Sequence, residues 1–553
     1  MHGHGLDGRT SGCVVCAAAA DEDGWRGTEA GGARLSRGTL LRRGAIAGLA
    51  LGAAGALSAS ASAAAPRYAP HAGLGHGRRP LVLEPSWVLV HENGGQQLKR
   101  DHHVVVENGA IAAIGEGRRR GRDRRLTAIG ELLLPGFISG HTHVAGGTVT
   151  RGIIEGGRSF ARPLVVADEL SDEELDDLTA FNLAELLLGG CTTQLEMALS
   201  LKQARSYVRV AERLGTRGYV GGMVPGIHRL FPIWFRGTND QVLFESEAGT
   251  LQEIADNLAF GLAVNGSQDG RILAQPTPHA TDTQTPATMQ AFAAAAARLG
   301  NGIHLHLSQS ANETATVQRL WGKRPVEWLD DFGFYDGPLF GAHMSGIDLA
   351  GDPPILRDKG ATYAHCPSAG GAGGGTQPWP EILSQGVNTS IGIDTHSNDY
   401  AENLKLAVLY GQARRSLLPP AGPGLPPQTG SPPVAVENPT VWDAVEAATI
   451  NAAIGLRRDD LGRIEVGAKA DLVTVDVTGF LTGTGAVPPE PLNNLLYGHG
   501  LAVRTVLTDG RVQVLGGRLV VGSERRIRER GGAAVQAVWD RLADEGFFTP
   551  TPR

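Results

Sequence analysis

From Pro80 to Leu134 the apolar positions fall in short runs. The segments LVLEPSWVLVHE, HHVVVENGAIAAIGEG and LTAIGELLL carry the alternation and β-branched content of strands. Asn108–Gly109 predicts a tight hairpin between two of them. From Pro135 to about Arg458 the pattern changes. Strand-like segments (GCTTQLEMAL, GYVGGMVPG, GIHLHLS, LFGAHM, ATYAHCP, NTSIGID) alternate with helix-like ones such as VRVAERLG and AFAAAAARLG. This alternation predicts βα units and a parallel sheet. Eight such units fit a TIM-like barrel, whose active site lies at the C-terminal ends of the strands. Ala369–Gly375 is nearly all Gly and Ala, and Leu418–Pro433 is rich in Pro and Gly. Both are read as following barrel strands, as a lid or as linkers over that face. Short strands return between Leu461 and Leu519 and are read as partners of the N-terminal ones. A periodic helix, Ala533–Glu545, closes the chain. The reading is therefore α/β: a β domain begun by residues 80–134 and completed by 461–525, a barrel over 135–460, and a helical end over 526–553.

The first residues read differently. Residues 39–65, TLLRRGAIAGLALGAAGALSASASAAA, set Arg42–Arg43 before a modest apolar run and end in small residues up to Ala65. That is the shape of a signal peptide of the twin-arginine type, which predicts export; the alternative is an uncleaved tail on a cytoplasmic protein. Residues 1–38, upstream of it, are polar and Gly-rich and are expected to be a disordered leader. The apolar run is too short and weak for a stable membrane span.

Composition adds limits rather than a function. The chain has 553 residues, 42% of them hydrophobic, enough for a large core, and a net charge of −7. Neither nucleic acid nor an anionic membrane surface fits that charge. The six arginines of Arg118–Arg125 have no interleaved aromatics and read as a solvated turn. Of the four cysteines, Cys13 and Cys16 form a CxxC with no second pair nearby, and Cys191 and Cys366 read as small buried residues.

The chemistry lies at the ends of the strand-like segments. His141 and His143 stand two apart at the end of an apolar strand, so both point to one side and can share a cation at about 2.0–2.1 Å each. His304 and His306 repeat that spacing, with His304 the deeper of the two and read as a packed residue; His343 ends another strand, and Asp394 and His396 end a further one. A lone histidine at a strand end is usually an ordinary polar residue; four strands ending this way in one series form a site.

On these residues the chain resembles the amidohydrolase superfamily, in its branch of chlorohydrolases and nucleobase-type deaminases. The motifs that carry the likeness are PGFISGHTH, PHATDTQT, HLHLSQSANE, AHMSGID, GIDTHSND and the tail LGRIEVGAKADLVTVD, spread from about residue 80 to 525. The resemblance implies a TIM-like (β/α)8 barrel with a composite β-sandwich formed from both chain ends. It implies metal ligands His141, His143, His306 and Asp394, with His343 beside the water and His279 against substrate; His396, two residues after Asp394, is read from its position as lining the substrate site. Members with two metals use a carboxylated lysine on the fourth strand. This chain has no lysine between Lys202 and Lys323, so one divalent metal per chain is expected, zinc first and iron second.

The implied reaction is attack by metal-bound hydroxide on a C–N bond of a small molecule, with Asp394 shuttling the proton. One departure matters: where the branch carries a glutamate that protonates a ring nitrogen, this chain has Gln309. Glu313 stands one helical turn further on. The expected function is thus hydrolysis of an amide, a cyclic amide or an amino-heterocycle. The alternatives are an aromatic-heterocycle deaminase or dechlorinase proper and, in another class, a decayed metal-binding protein. A small-molecule substrate is expected and no nucleic acid; a homo-oligomer is compatible.

Overall fold

The computed structural model describes residues 79–548, apart from 155, 157, 159–160, 227–246, 373–375, 396 and 419–429. The leader, the signal-like segment, the CxxC and His396 lie outside the described residues. No helix among the described residues is long and apolar enough to cross a membrane.

The chain begins with five strands, β1 (Leu81–Glu92), β2 (Gly95–Arg100), β3 (His102–Glu107), β4 (Ala110–Glu116) and β5 (Arg124–Pro135). Asn108 and Gly109 turn β3 into β4 with φ of 51° and 80°. The left-handed pair that a two-residue hairpin needs is therefore met by Asn and Gly. Asn93–Gly94 makes the same turn between β1 and β2, which the alternation alone did not reveal.

Eight strands follow in two parallel sheets of four. One holds β6 (Phe137–Thr142), β7 (Cys191–Ala198), β8 (Arg217–Gly222) and β9 (Ile272–Ala274). The other holds β10 (Ile303–Leu307), β11 (Leu339–His343), β12 (Thr362–His365) and β13 (Asn388–Ile391). Backbone bonds join them at both ends. Ile393 and Asp394 donate to His141 O, at 3.0 and 3.2 Å, while His304 donates to Pro276 O and His306 to His279 O. The buried Tyr400 hydroxyl reinforces the first junction by donating to Ile138 O and Ile391 O. The nearly continuous burial of these strands is that of a parallel sheet covered on both faces.

The last strands, β14 (Leu472–Asp476), β15 (Val503–Thr508), β16 (Arg511–Leu515) and β17 (Arg518–Leu519), join the first five in one mixed sheet of nine. β14 runs antiparallel along β5, with Leu472 opposite Pro135. One residue, Gly136, separates β5 from β6, so this sheet runs directly into the strand that carries His141. A buried ion network holds the two together. Arg217, at the start of β8, donates to Asp471 at 2.9 Å and to Asp509 at 2.7 Å, and Asp509 N donates to Asp471.

Two expectations change. The closing helix spans Glu524–Asp544 and starts nine residues before the expected Ala533. Gly531–Gly532 lie inside it, and a Cβ on Gly531 would lie 2.4 Å from the Phe181 side chain. The glycine is there because this helix crosses closely over helix Asp172–Leu188. Trp539 on it donates to Val149 O at 3.1 Å. Leu418–Pro433 follows a helix, Tyr400–Leu417, and not a strand, because eighteen helical residues after Asp394 cover about 27 Å before that segment starts. The first four residues of Ala369–Gly375 belong to a short helix, Pro367–Ala372.

Because removing Arg217 leaves Asp471 buried without its ion partner, Arg217→Met is expected to cost about 3–5 kcal/mol in urea unfolding. A cost below about 1 kcal/mol would mean that the network does not fasten the sheet to β8.

Candidate metal centre

The C-terminal ends of β6, β10 and β11 and the turn after β13 bring His141, His143, His306, His343 and Asp394 together, all fully buried. His141, His143 and His306 each offer a nitrogen within 4.8 Å of the others. Asp394 Oδ1 lies 3.5 Å from His143 Nε2 and 3.9 Å from His141 Nε2, and its Oδ2 lies 3.6 Å from His343 Nε2. His343 and Asp394 take left-handed φ values of 76° and 60°. Such a conformation costs of order 1–3 kcal/mol outside glycine and persists where its surroundings impose it. The approach is tight elsewhere too: a Cβ on Gly392 would lie 2.9 Å from both His141 Cβ and Cys366 Sγ.

The second nitrogen of each ring decides what the first can do. His143 Nδ1 bonds Met197 O at 2.5 Å, and His306 Nδ1 bonds His279 O at 2.8 Å. A carbonyl oxygen only accepts, so each Nδ1 carries the proton and each Nε2 is a bare lone pair. Those two Nε2 atoms face one another at 3.3 Å. Two acceptors cannot bond each other, but two ligands about 2.0–2.1 Å from one tetrahedral cation stand about 3.4 Å apart. His141 Nδ1 is engaged by His304 Nε2 at 2.8 Å, while its buried Nε2 has no hydrogen-bond partner. The donor set fits one divalent cation of the zinc type, held by three imidazoles and a carboxylate.

Electrostatics agree. Burial, reinforced by neighbouring imidazoles, holds His141 and His306 well below the ordinary histidine value. Burial likewise lowers His143 to about 4 and His343 to about 3. The rings are neutral at physiological pH, the form that ligates metal.

The residues around the cluster sort as follows. His279, on the loop after β9, is buried with its ring 5.0 Å from that of His306. Gln309 stands three residues beyond His306, and its backbone N donates to Glu313 at 2.6 Å. Glu313 lies in helix Ala311–Trp321 and also accepts from Thr281 N and Oγ1. Its carboxylate ties the two loops together. Asn398 donates to Asn182 and Glu185, and Asp399 caps helix Tyr400–Leu417, so both serve the loop they stand in. Cys191 and Cys366 are buried thiols.

Several partners escape the sequence. His304, which reads as a packed core residue, is indeed buried but bonds His141. Glu196 on β7 accepts from Val144 N with both oxygens and so holds the turn after His143. Burial pushes its carboxyl up to about 8. A lone glutamate in an apolar strand is the signal that could have found it. Gln377, beside His343 Nδ1 at 3.2 Å, has no such signal.

Comparison with known proteins gives the same direction. Residues 132–512 match the Amidohydrolase family. A 5'-deoxyadenosine deaminase of Methanosarcina mazei is 26% identical over 485 residues, 84% of this chain and 99% of that protein. A 5-methylthioadenosine/S-adenosylhomocysteine deaminase of Pelotomaculum thermopropionicum is 28% identical, over 78% of this chain and 92% of that protein. A crystal structure of an adenosine deaminase from Xanthomonas campestris, with bound zinc, shares the fold. Its TM-score is 0.65 at 23% identity, over 84% of this chain and 98% of that one.

Metal analysis of the purified chain is expected to find about one transition metal per chain, lost in both His306→Ala and Asp394→Ala; retention in both would overturn the ligand set. After metal removal, stability is expected to fall as pH drops from 6.5 towards 4. The unfolded chain takes up protons on these histidines first, each worth at most ~1.4 kcal/mol per pH unit. Equal urea midpoints at pH 7 and pH 5 would contradict this. The match over residues 132–512 and the histidine cluster at the strand ends lead to one conclusion: the chain belongs to the amidohydrolase family.

Proposed function

We propose that this chain is a single-metal hydrolase of C–N bonds in small molecules, with zinc as its metal and iron as the second choice. His141, His143, His306 and Asp394 would hold the ion. The observation that carries this is the pair of bare Nε2 lone pairs of His143 and His306 facing one another at 3.3 Å. The same reading takes the two four-stranded sheets as halves of one eight-stranded barrel, and the nine-stranded sheet as its β-sandwich companion. The backbone bonds at both junctions support it.

When bound, the cation would lower the pKa of a water toward neutrality. The protein's own groups then do the rest. Asp394 takes the proton released by that water and returns it to the leaving nitrogen. His343, on the Oδ2 side of Asp394, orients the attacking oxygen. His279 contacts substrate, and His396 is read in the same role. Gln309 can hydrogen-bond a substrate acceptor but cannot give up a proton. Glu313 does not replace the missing acid, because its two oxygens are taken by Gln309 N and Thr281. Substrates whose leaving group needs only the Asp394 shuttle are therefore favoured: amides, carbamates and cyclic imides.

The relatives favour a second reading, deamination of an adenosine-type nucleoside. A panel on metal-replete protein separates the two. The first reading expects carboxylate formation from amides or cyclic imides, with 5'-deoxyadenosine and methylthioadenosine turned over at least about 10²-fold more slowly. Gln309→Glu is expected to raise ammonia release from the nucleosides. Fast deamination by the unaltered protein would overturn the first reading. Metal-replete protein inert across the whole panel would point to a decayed enzyme.

A further inference from the structure

The amide of Gln377 is buried between β11 and β12, and the geometry there fixes which way round it sits. Its Oε1 lies 2.9 Å from Cys366 N, a backbone group that can only donate. The Tyr363 hydroxyl and His365 Nδ1 gather on the same oxygen, at 3.2 and 3.0 Å. The oxygen end is thus assigned by its partners. The nitrogen end then faces His343 Nδ1 at 3.2 Å. An amide nitrogen only donates, so Nδ1 must accept. A ring that accepts at Nδ1 is neutral and carries its proton on Nε2.

His343 is therefore the reverse of its neighbours. His143 and His306 are tied at Nδ1 to carbonyl acceptors and present bare Nε2 atoms. His343 is tied at Nδ1 to a donor and presents Nε2–H, 3.6 Å from Asp394 Oδ2. We propose that Gln377 is a positioning residue that sets the tautomer of His343, so that this histidine serves the site as a hydrogen-bond donor rather than as a fourth imidazole ligand. The proposal rests on reading the cluster as a metal site. An N–H at this position can stabilise an oxygen on which negative charge develops, which a lone pair cannot do.

The surroundings hold Gln377 firmly. Arg414 donates to the carbonyl of Thr376, the residue before it, at 2.8 Å, and is paired with Glu381 in an ion pair buried at both ends. Trp379, two residues on, stacks on His365 with ring centroids 5.2 Å apart.

The test replaces the donor with an acceptor of the same size. In Gln377→Glu one carboxylate oxygen keeps the Cys366 N–H and the other faces His343 Nδ1, which must then donate. Nitrogen NMR of 15N-histidine-labelled zinc-loaded protein, with His343 assigned by its loss in His343→Asn, reads the tautomer directly. The unaltered protein is expected to show Nε2–H at His343, and Gln377→Glu to show Nδ1–H. Turnover of the best substrate of the panel is expected to fall about 10²-fold in kcat with KM little changed. If Gln377→Glu does not fold, Gln377→Met removes the donor without supplying an acceptor and is expected to lose the Nε2–H preference. Nδ1–H in the unaltered protein, or an unmoved tautomer in the folded variants, would overturn the proposal. Failure of the unaltered protein to bind zinc would instead overturn the metal reading, and the metal-free spectra would still decide the role of Gln377.

Discussion

Like lone pairs repel, and His143 Nε2 and His306 Nε2 are held with theirs aimed at each other across 3.3 Å. Nothing in the two rings relieves that repulsion, since Met197 O and His279 O pin both protons on the far side. Much of the surrounding structure keeps this arrangement in place. Glu196 anchors the turn that carries His143, His304 steadies His141, and the left-handed backbone at His343 and Asp394 turns their side chains inward. The fold spends stability here to obtain a set of donors that a divalent cation satisfies at once.

That set depends on two junctions far apart in sequence. Asp394 reaches the histidines of β6 only because the turn after β13 bonds His141 O, a contact backed by the Tyr400 hydroxyl. His306 reaches them because β10 bonds the segment after β9. The nine-stranded sheet adds a third constraint. β5 enters β6 through one glycine, and Arg217, Asp471 and Asp509 lock that sheet against β8. The strand that carries His141 is thus steadied from outside the sheet it belongs to.

Most of the fold was legible in the chain because its signals are local. Alternation marked the first and last strands, Asn108–Gly109 marked its hairpin, and the histidines stood at strand ends where parallel sheets carry function. What was not legible depends on approach in space. The closing helix reads as starting at Ala533 because nothing local shows that its earlier turns pack on Phe181. His304 looked like packing because its bond to His141 spans 163 residues. Gln377 sits in a stretch with no periodicity, and its partners come from β11 and β12. Glu313 was visible as a nearby acid, but only its bonds to Gln309 and Thr281 show that its oxygens are already taken.

The pairing of β5 with β14 bears on biosynthesis. β5 is made early, yet its β14 neighbour is encoded after every ligand has been translated, and Trp539 grips Val149 later still. At about 5–20 residues per second the ribosome needs from about 20 s to more than a minute to cover that distance. Once Asp394 has been translated, and until β14 follows, the nascent chain carries the whole cluster of His141, His143, His306 and Asp394 on an unfinished scaffold. A chain truncated before Leu472 would carry His141, His143, His306 and Asp394 without the last four strands of the sheet that leads into β6.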